Sequence, residues 1–327
     1  MKFGPTPRDG ALGHILAHSE QGAHGKIPKG RVLTAEDLTA LAHLQVLTTA
    51  ALDPGDVAEN EAASRLAAAL LPEDPGLTLT APHAGRVNLT ATRAGVLALD
   101  PAAVLALNRL DPALTLATLP NLARVAPGTL VGTVKVITYA VAGHSLTRAV
   151  TSAPRLRILP VTRPRASLIL TWTEAPDRLM QKGRDAVARR LTRLGITLVE
   201  THRLPHDEAA IAETLSTLRS DLILILTGAA TSDLHDTAPQ ALRQAGGQVQ
   251  RFGMPVDPGN LLFLGSLRGV PVIGLPGCTR SPALNGADWV LERLACGLDL
   301  SCDDIAAMGV GGLLKEIPIR GQLRESP

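Results

Sequence analysis

The sequence predicts an α/β protein in which a three-layer, mostly parallel sheet with helices on both faces follows a smaller, strand-rich α+β domain. Strand-like and helix-like segments alternate from residue 166 onwards, which is typical of a parallel sheet. The run LILIL at residues 222–226 is apolar on both faces, as a central parallel strand is. The predicted boundaries are an N-terminal domain at 1–155, a linker at 156–165, the α/β domain at 166–315 and a tail at 316–327.

The composition indicates a globular protein and excludes several classes of partner. Of the 327 residues, 45% are hydrophobic and 19% are charged, which is not the composition of a disordered chain. Aromatic residues make up only 2% and the net charge is +2, so neither stacking platforms nor a basic footprint indicate nucleic-acid binding. No apolar run is long enough to span a membrane, and we expect no membrane partner and a cytoplasmic location.

The cysteines and histidines give no strong metal signal. Cys278, Cys296 and Cys302 lack C-x-x-C spacing, which argues against a disulfide framework or a thiolate zinc site and favours a reducing compartment. His14 and His18 would share a helix face at a zinc-like spacing, but no glutamate follows His14, so we expect solvent-facing side chains.

In the N-terminal part, several segments can be assigned to helices or strands. We predict short helices in residues 9–19, 29–41 and 56–71, with Thr34 as an N-cap and Asp37 completing a capping-box variant. Residues 77–99 and 129–141 alternate apolar and polar residues with frequent glycines, as half-buried antiparallel strands do. The proline- and arginine-rich segment 152–167 is interpreted as a solvated linker, although its arginines could contact a phosphate.

In the second part, regular strands and helices follow one another. Residues 180–195 predict a helix that buries Met180, Val187, Leu191 and Leu194 and ends at Gly195. The other predicted elements are strands in 167–173, 196–204, 221–228, 248–254 and 261–275, the last turning at 268–269, and helices in 207–220, 237–247 and 281–297. The GVGG of residues 309–312 follows no strand and is interpreted as a turn.

A loop of small residues and two carboxylates follows the central strand. Small side chains let the backbone approach a ligand, and the amides and hydroxyls can bind an anion; the candidates are Thr227, Gly228, Ala229, Ala230, Thr231 and Ser232. Asp233 and Asp236 come next. They either hold a cation or act on a proton, or they only cap the helix that follows.

Two further loops are expected at the same edge of the sheet, because ligands of parallel sheets bind outside the carboxyl ends of the strands. The first contains Pro258, Gly259 and Asn260, and by itself it is an ordinary turn. The second contains Pro276, Gly277 and Ser281. Ser281 followed by proline predicts a helix N-terminus there, which either binds an anion or simply starts a helix.

At these loops the sequence resembles the molybdopterin-binding domain of molybdenum-cofactor biosynthesis proteins, which adenylyltransferases, molybdotransferases and competence-damage-inducible proteins share. The family loop T-G-G-T-G…R-D-x-T-P-E-A lies over TGAATSDLHDTAPQA, placing Asp236 on the functional aspartate, Pro239 on the proline and His235 on the arginine. The molybdotransferase run P-G-K-P…G…P-V-x-G-L-P-G-N-P-x-S-A lies over PGNLLFLGSLRGVPVIGLPGCTRSPA. The resemblance covers residues 166–297, and the N-terminal part resembles the region that precedes this domain in proteins fused to a nucleotidyltransferase-like domain.

The resemblance implies a fold of the molybdopterin-binding type and a ligand, molybdopterin or its adenylylated form. Asp236 would hold Mg²⁺ with Asp233 in support, and the protein would promote nucleotidyl transfer or molybdate insertion. Segments 228–232 and 276–281 would cradle pterin and phosphate. The implied partners are the pterin, a nucleotide, and a separate nucleotidyltransferase or molybdoenzyme, with a homodimer or homotrimer as the assembly.

Departures from the family pattern keep two alternatives open. Asn260 replaces the family's lysine, Cys278 replaces an asparagine, and alanines and Thr231 replace the later glycines of the first loop. These changes favour binding over full catalysis, so a non-catalytic carrier or sensor of molybdopterin is the first alternative. A nucleotide pyrophosphatase like the competence-damage-inducible proteins is the second.

Overall fold

The chain divides into two units, Met1–Ile158 and Leu159–Pro327, in a computed structural model that describes residues 1–174 and 178–314. The predicted tail, 316–327, lies outside the described residues. The segment predicted as a linker, 156–165, contains a short strand at Arg157–Pro160 and the first residue of another strand, Arg165–Trp172.

The first unit is built from short antiparallel strands and four helices in its described residues. The strands are β1 Lys2–Pro7, β2 Ile15–Leu16, β3 Glu20–Gly22, β4 Gly25–Ile27, β5 Val46–Ala51, β6 Asp56–Ala58, β7 Leu77–Leu79, β8 Arg86–Ala91, β9 Gly95–Ala98, β10 Leu114–Thr118, β11 Arg124–Val125, β12 Leu130–Val136, β13 Ala140–Ala142 and β14 Arg157–Pro160. The helices are α1 Ala35–Ala40, α2 Glu59–Ala69, α3 Pro101–Leu110 and α4 Gly143–Thr151. The four-stranded sheet has the order β10-β12-β8-β7, and two three-stranded sheets have the orders β1-β5-β2 and β11-β9-β14. The strand-rich α+β character is as predicted.

Two apolar cores lie within the first unit. In the larger core, α2 contributes Ala62, Leu66 and Ala67, which are fully buried together with Leu89 of β8 and Val134 of β12. Small alanines on one helix face allow the helix to approach the sheet closely. The smaller core gathers residues from the first 47 positions around α1.

The start of α1 follows the sequence closely. The Thr34 side chain accepts a hydrogen bond from the Asp37 amide at 3.2 Å, and the Asp37 carboxylate accepts one from the Thr34 amide at 2.9 Å. This reciprocal capping box satisfies two amides that a helix start leaves unpaired. The prediction for this helix is therefore confirmed.

The predicted helix over residues 9–19 is wrong. The chain makes a 3₁₀ turn at Arg8–Gly10 and then forms β2, with Gly13 in the left-handed region at φ 78°. Pairing of β2 with β5 holds this segment extended, so His14 and His18 do not share a helix face. Instead, Nδ1 of His14 lies 3.1 Å from Oγ1 of Thr49, while His18 is exposed.

The second unit contains a six-stranded sheet. Its strands are β15 Arg165–Trp172, β16 Thr197–Pro205, β17 Leu222–Leu226, β18 Gln248–Phe252, β19 Phe263–Leu267 and β20 Val270–Leu275, in the order β16-β15-β17-β20-β19-β18. Its described helices are α5 Arg178–Arg193, α6 Glu208–Thr217, α7 Thr237–Gln244, α8 Gly286–Ala295 and α9 Cys302–Ala307. The first four strands of the order are parallel, and β19 is antiparallel to both of its neighbours.

Helices cover both faces of this sheet, which confirms the predicted three-layer fold. One face packs against apolar residues of α5, α8 and α9, among them Leu191, Val290 and Ile305. The other face packs against α6 and α7 through Leu215 and Leu242. The β17 strand is buried along its whole length because it lies between the two layers.

The predicted turn between β19 and β20 is also observed. Arg268 and Gly269 both have positive φ, 52° and 78°, as the two-residue turns of antiparallel hairpins require. Within the described part of the chain, no helix has the length and the apolar character needed to cross a membrane.

Candidate functional site

Three loops of the second unit lie at one edge of the sheet. The parallel strands β15, β16, β17 and β20 all end at this edge. Because β19 is antiparallel to both β20 and β18, β18 runs in the same direction as β20 and also ends there. The loops 227–236, 253–262 and 276–285 are therefore brought together, as the sequence predicts.

The first loop begins with a close approach between Gly228 and the end of β15. The Gly228 amide donates a hydrogen bond to Oγ1 of Thr171 at 2.9 Å. A Cβ on Gly228 would lie 2.8 Å from the Thr171 carbonyl oxygen and 2.9 Å from Cα of Trp172. Backbone packing therefore requires a glycine at this position, whether or not a ligand binds. Thr227 donates its hydroxyl to the Ala229 carbonyl at 2.6 Å, which tightens the same turn.

Further along this loop, Ala230 and Ser232 are exposed at the sheet edge, Ala229 is half-buried and Thr231 is buried. The Ser232 amide donates to Oδ2 of Asp236 at 2.9 Å. The loop thus folds back onto the start of α7 and presents small side chains to solvent.

Asp236 is the N-cap of α7. Its Oδ1 accepts a hydrogen bond from the Thr237 amide at 2.7 Å, and its Oδ2 accepts the Ser232 amide. Burial acts to raise the pKa of this carboxyl, but the hydrogen bonds from Ser232 and Thr237 outweigh it, and the pKa lies below its ordinary value. Asp236 is therefore an anion held between amides. The Ser232 hydroxyl also lies 3.4 Å from its Oδ2, so among the described residues a further lone pair is left on Oδ1.

Asp233 makes a local turn rather than a second helix cap. Its Oδ1 accepts a hydrogen bond from the His235 amide at 2.7 Å, and its carbonyl accepts one from the Asp236 amide at 3.2 Å. Both Asp233 and His235 are exposed. Over the described ranges, 1–174 and 178–314, no three His, Cys, Asp or Glu side chains are grouped so that they could hold a metal ion.

The second loop packs against the start of α8. A Cβ on Gly259, which has φ 144°, would lie 2.7 Å from the Gly286 amide nitrogen. The Gly286 amide donates to the Pro258 carbonyl at 2.8 Å, so the second loop is in direct contact with the first residue of α8, where the third loop ends. Asn260 is exposed, and its Nδ2 lies 3.4 Å from the Met254 carbonyl oxygen.

The third loop departs from its predicted geometry. Residues Gly277–Arg280 form a 3₁₀ turn, and α8 begins at Gly286 rather than after Ser281. Asn285 is the N-cap, and Asp288 completes a capping box with it. The predicted N-cap role of Ser281 is therefore wrong: Ser281 is an exposed residue of the loop.

The side chain of Arg190 explains why this loop stays irregular. Arg190 lies on α5, is 7% exposed, and pairs with Asp288 at 2.6 Å. Its two terminal nitrogens donate to loop carbonyls, those of Thr279 at 2.9 Å, Ser281 at 2.8 Å and Ala283 at 3.0 Å. Carbonyls bound in this way are turned toward α5, so residues 281–284 cannot form the first turn of a helix.

Arg280 connects the third loop to the first. Its Nη2 donates to the Thr227 carbonyl at 2.6 Å, and burial lowers the pKa of its guanidinium. Its Nε, Oγ1 of Thr279 and Nδ2 of Asn285 are buried polar atoms without a hydrogen-bond partner in the described part of the chain. Burial also raises the pKa of the neighbouring Cys278 thiol, which favours the protonated form.

Four residues of this edge carry no obvious sequence signal. Arg190 and Arg280 stand among many other arginines, and Thr171 is one polar residue within an apolar strand. His206 follows β16, and its Nδ1 lies 2.9 Å from Oγ1 of Thr171. The one available hint is a hydroxyl at the carboxyl end of an apolar strand, where parallel sheets bind ligands.

Residues 175–295 match a protein-family model that is described as a probable molybdopterin binding domain. Among solved structures, the chain is similar to a molybdopterin biosynthesis MoeA protein from Pyrococcus horikosii, with 14% identity, a TM-score of 0.32, and coverage of 90% of this chain and 75% of that chain. It is also similar to the CinA protein of unknown function from Thermoplasma acidophilum, with 19% identity and a TM-score of 0.25. That match covers 36% of this chain and 90% of that chain.

A third structure, the molybdopterin biosynthesis enzyme MoaB from Thermus thermophilus, shares 17% identity with a TM-score of 0.26 and coverage of 41% of this chain and 97% of that chain. No curated protein matches the chain. The family match spans all three loops of the sheet edge. The second unit therefore contains, in residues 175–295, a molybdopterin-binding domain of the molybdenum-cofactor biosynthesis family.

Proposed function

We propose that the protein binds molybdopterin, or adenylylated molybdopterin, at the carboxyl edge of the second unit's sheet and promotes nucleotidyl transfer or molybdate insertion. One observation carries the proposal: the three loops of the family-matching segment meet at this edge. A hydrogen bond from Arg280 to Thr227 joins the third loop to the first, and a hydrogen bond from Gly286, at the start of α8, to Pro258 holds the second loop. Loops fixed to a rigid sheet in this way form a preorganised binding site.

The first and third loops would hold the ligand. Ala230 and Ser232 present small, exposed side chains at the edge, so a flat pterin or a phosphate could approach the backbone there. Pro276 to Ser281 would border the opposite side, where the guanidinium of Arg280 supplies positive charge. Arg280 has no carboxylate partner among the ion pairs of the described residues, so its charge is available to an anionic ligand.

The described residues fit Mg²⁺ only in a site that is shared with a bound phosphate. Asp236 is ionised and keeps one lone pair on Oδ1, while the amide and the hydroxyl of Ser232 both bond to its Oδ2. Asp233 leaves its Oδ2 without a hydrogen bond among the described residues. Mg²⁺ commonly uses one or two carboxylates together with substrate phosphate oxygens. A cation held there would neutralise phosphate charge.

Analysis of the bound ligand tests this proposal. The full chain would be purified from cells that make the molybdenum cofactor, and its bound pterin would be identified after release. We expect a pterin in a fixed ratio to the protein, and saturable binding of added molybdopterin by the ligand-free protein. If purified protein carries no pterin and added molybdopterin does not bind, the proposal fails.

A non-catalytic carrier or sensor is the second candidate, and Asp236 supplies the observation that favours it. Both of its carboxylate oxygens are occupied by amides of its own loop, as expected for a helix cap. Asn260 also lacks the charge of the lysine that the family carries. A turnover assay with molybdopterin, ATP, Mg²⁺ and molybdate separates the two: binding without AMP-linked chemistry or metal insertion identifies a carrier.

A further inference from the structure

His206 lies at the same edge of the sheet as the three loops, although it belongs to none of them. It directly follows β16, whose neighbour in the sheet is β15. The His206 amide donates to the Trp172 carbonyl at 2.8 Å, which fixes the residue at the end of β15. Its side chain is half-buried.

The hydrogen bonds of Thr171 favour one tautomer of the His206 ring. Oγ1 of Thr171 accepts the Gly228 amide, so its own hydroxyl proton is free to be donated to Nδ1 of His206. A neutral imidazole that accepts at Nδ1 carries its proton on Nε2. If the ring is protonated, Nε2 also carries a proton. In this neutral tautomer and in the protonated ring, Nε2 is a hydrogen-bond donor.

The Nε2 donor has no hydrogen-bond acceptor among residues 1–174 and 178–314. His206 is also close to the first loop. The pKa of Asp236 is raised by burial, lowered more strongly by hydrogen bonds from Ser232 and Thr237, and lowered further by the charge of His206. Through Thr171 and Gly228, this donor is linked to the start of the first loop, at the same sheet edge as the carboxylate for which we propose a cation.

We propose that Nε2 of His206 binds a tetrahedral oxyanion at the sheet edge, and that Thr171 is a positioning residue that keeps Nε2 protonated and orients the ring. The oxyanion is either the phosphate of a pterin or nucleotide, or molybdate. The pterin source rests on the proposed function, whereas binding of a free oxyanion does not.

Binding of inorganic phosphate and of molybdate to the full chain provides the test. We expect His206→Asn to weaken the binding of the preferred oxyanion at least about 10-fold, since a hydrogen bond to a charged group is lost. His202→Asn is the matched control, because His202 lies on β16, the strand that directly precedes His206, and its Nε2 is 2.8 Å from Oε2 of Glu200. It should leave oxyanion binding unchanged. Equal binding by wild type and His206→Asn overturns the inference.

Thr171 variants separate positioning from folding. Thr171→Ser keeps the hydroxyl and should keep oxyanion binding, whereas Thr171→Val removes the acceptor of the Gly228 amide and the partner of His206. In ¹⁵N spectra of the histidine rings, wild type and Thr171→Ser should show Nε2 protonated and Nδ1 as the acceptor, and added oxyanion should shift Nε2. If Nδ1 carries the proton in the neutral ring, or if Thr171→Ser loses binding while folded, the role of Thr171 is refuted.

The source of the oxyanion follows from a parallel titration with molybdopterin. Molybdopterin binding that is unaffected by His206→Asn overturns the inference and leaves the proposed function intact. Phosphate or molybdate binding that depends on His206, in a protein that binds no pterin, supports the inference and overturns the proposed function. No binding of phosphate, molybdate or molybdopterin to the wild type overturns both.

Discussion

Arg190 on α5 and Asp288 on α8 form a buried ion pair in which Nε and Oδ1 are 2.6 Å apart. The same guanidinium holds three carbonyls of the loop between β20 and α8, and Asp288 caps the start of α8. One ion pair thus fixes both the third loop of the candidate site and the helix that follows it.

We expect Arg190→Ala to lower the free energy of unfolding of the second unit by about 3–5 kcal/mol, because Asp288 and the loop carbonyls lose their partner. Urea unfolding followed by tryptophan fluorescence measures this change, since both tryptophans, Trp172 and Trp289, lie in that unit. Arg189→Ala is the control: Arg189 is the adjacent arginine outside this ion pair, and its loss should cost less than about 0.5 kcal/mol. Similar losses for both variants would contradict the role of the ion pair.

Gly228→Ala should destabilise the second unit by about 1–3 kcal/mol, because the new Cβ meets backbone atoms of β15 that cannot move independently. The comparison is Gly277→Ala, where the nearest heavy atom to a new Cβ is a guanidinium nitrogen of Arg280 at 3.4 Å. That flexible side chain can give way, so we expect little change in stability. Equal thermal stability of Gly228→Ala and wild type would show that the approach of the first loop to β15 is not tight.

The parallel sheet and its loops are predictable because the necessary signals are local. The apolar run of β17 and the stripe of α5 that includes Leu191 each identify an element without reference to the rest of the chain. Asp100 followed by Pro101 is a comparable signal for the start of α3, although α3 is not among the predicted helices. Residues 9–19 are wrongly predicted as a helix because their pattern does not reveal the pairing of β2 with β5.

The details of the site are less predictable because they depend on contacts between distant residues. Ser281 followed by proline is a sound helix-start signal, but Asn285 and Asp288 form a stronger one, and Arg190 binds the intervening carbonyls. Arg190 is 91 residues from Ser281 in the sequence. No local pattern reports such a contact, and the same holds for the pair formed by Thr171 and His206.

Asp236→Asn distinguishes a helix cap from a cation ligand. Asparagine caps about as well as aspartate, so the free energy of unfolding should change by less than about 1 kcal/mol. If Asp236 holds Mg²⁺, Mg²⁺-dependent binding or turnover of molybdopterin should fall at least about 10-fold in the folded variant. Unchanged Mg²⁺ dependence would leave Asp236 with a structural role only.

The lowered pKa of Asp236 also predicts a pH dependence. A carboxyl whose pKa is lower in the folded than in the unfolded chain stabilises the fold above its unfolded pKa of about 3.9, and this stabilisation is lost as the pH falls through the folded pKa. The difference in unfolding free energy between wild type and Asp236→Asn should therefore be largest near pH 5 and shrink below about pH 4. Urea titrations at about pH 5, 4 and 3 measure it, and a constant difference would contradict a lowered pKa.

Asn260→Lys tests whether the missing charge of the second loop limits ligand binding. Asn260 is exposed and its side chain makes a long contact of 3.4 Å to the Met254 carbonyl, so a lysine can replace it without disturbing the packed neighbours Gly259 and Gly286. A cation at this edge should strengthen the binding of molybdate or of a phosphate-bearing pterin about 5-fold at low salt, with a smaller gain at high salt because the charge is screened.

The affinities of the Asn260 variants for the anionic ligand, measured at low and at high salt, test this prediction. Asn260→Gln is the control, since it lengthens the side chain without adding charge, and it should bind as the wild type does. If Asn260→Lys binds the ligand more tightly and also turns over with ATP and molybdate, then the residue at this one position accounts for the loss of catalysis. A gain in affinity without turnover would favour the carrier. Equal affinities of the lysine and glutamine variants at low salt would show that the ligand's anionic group does not lie near the second loop.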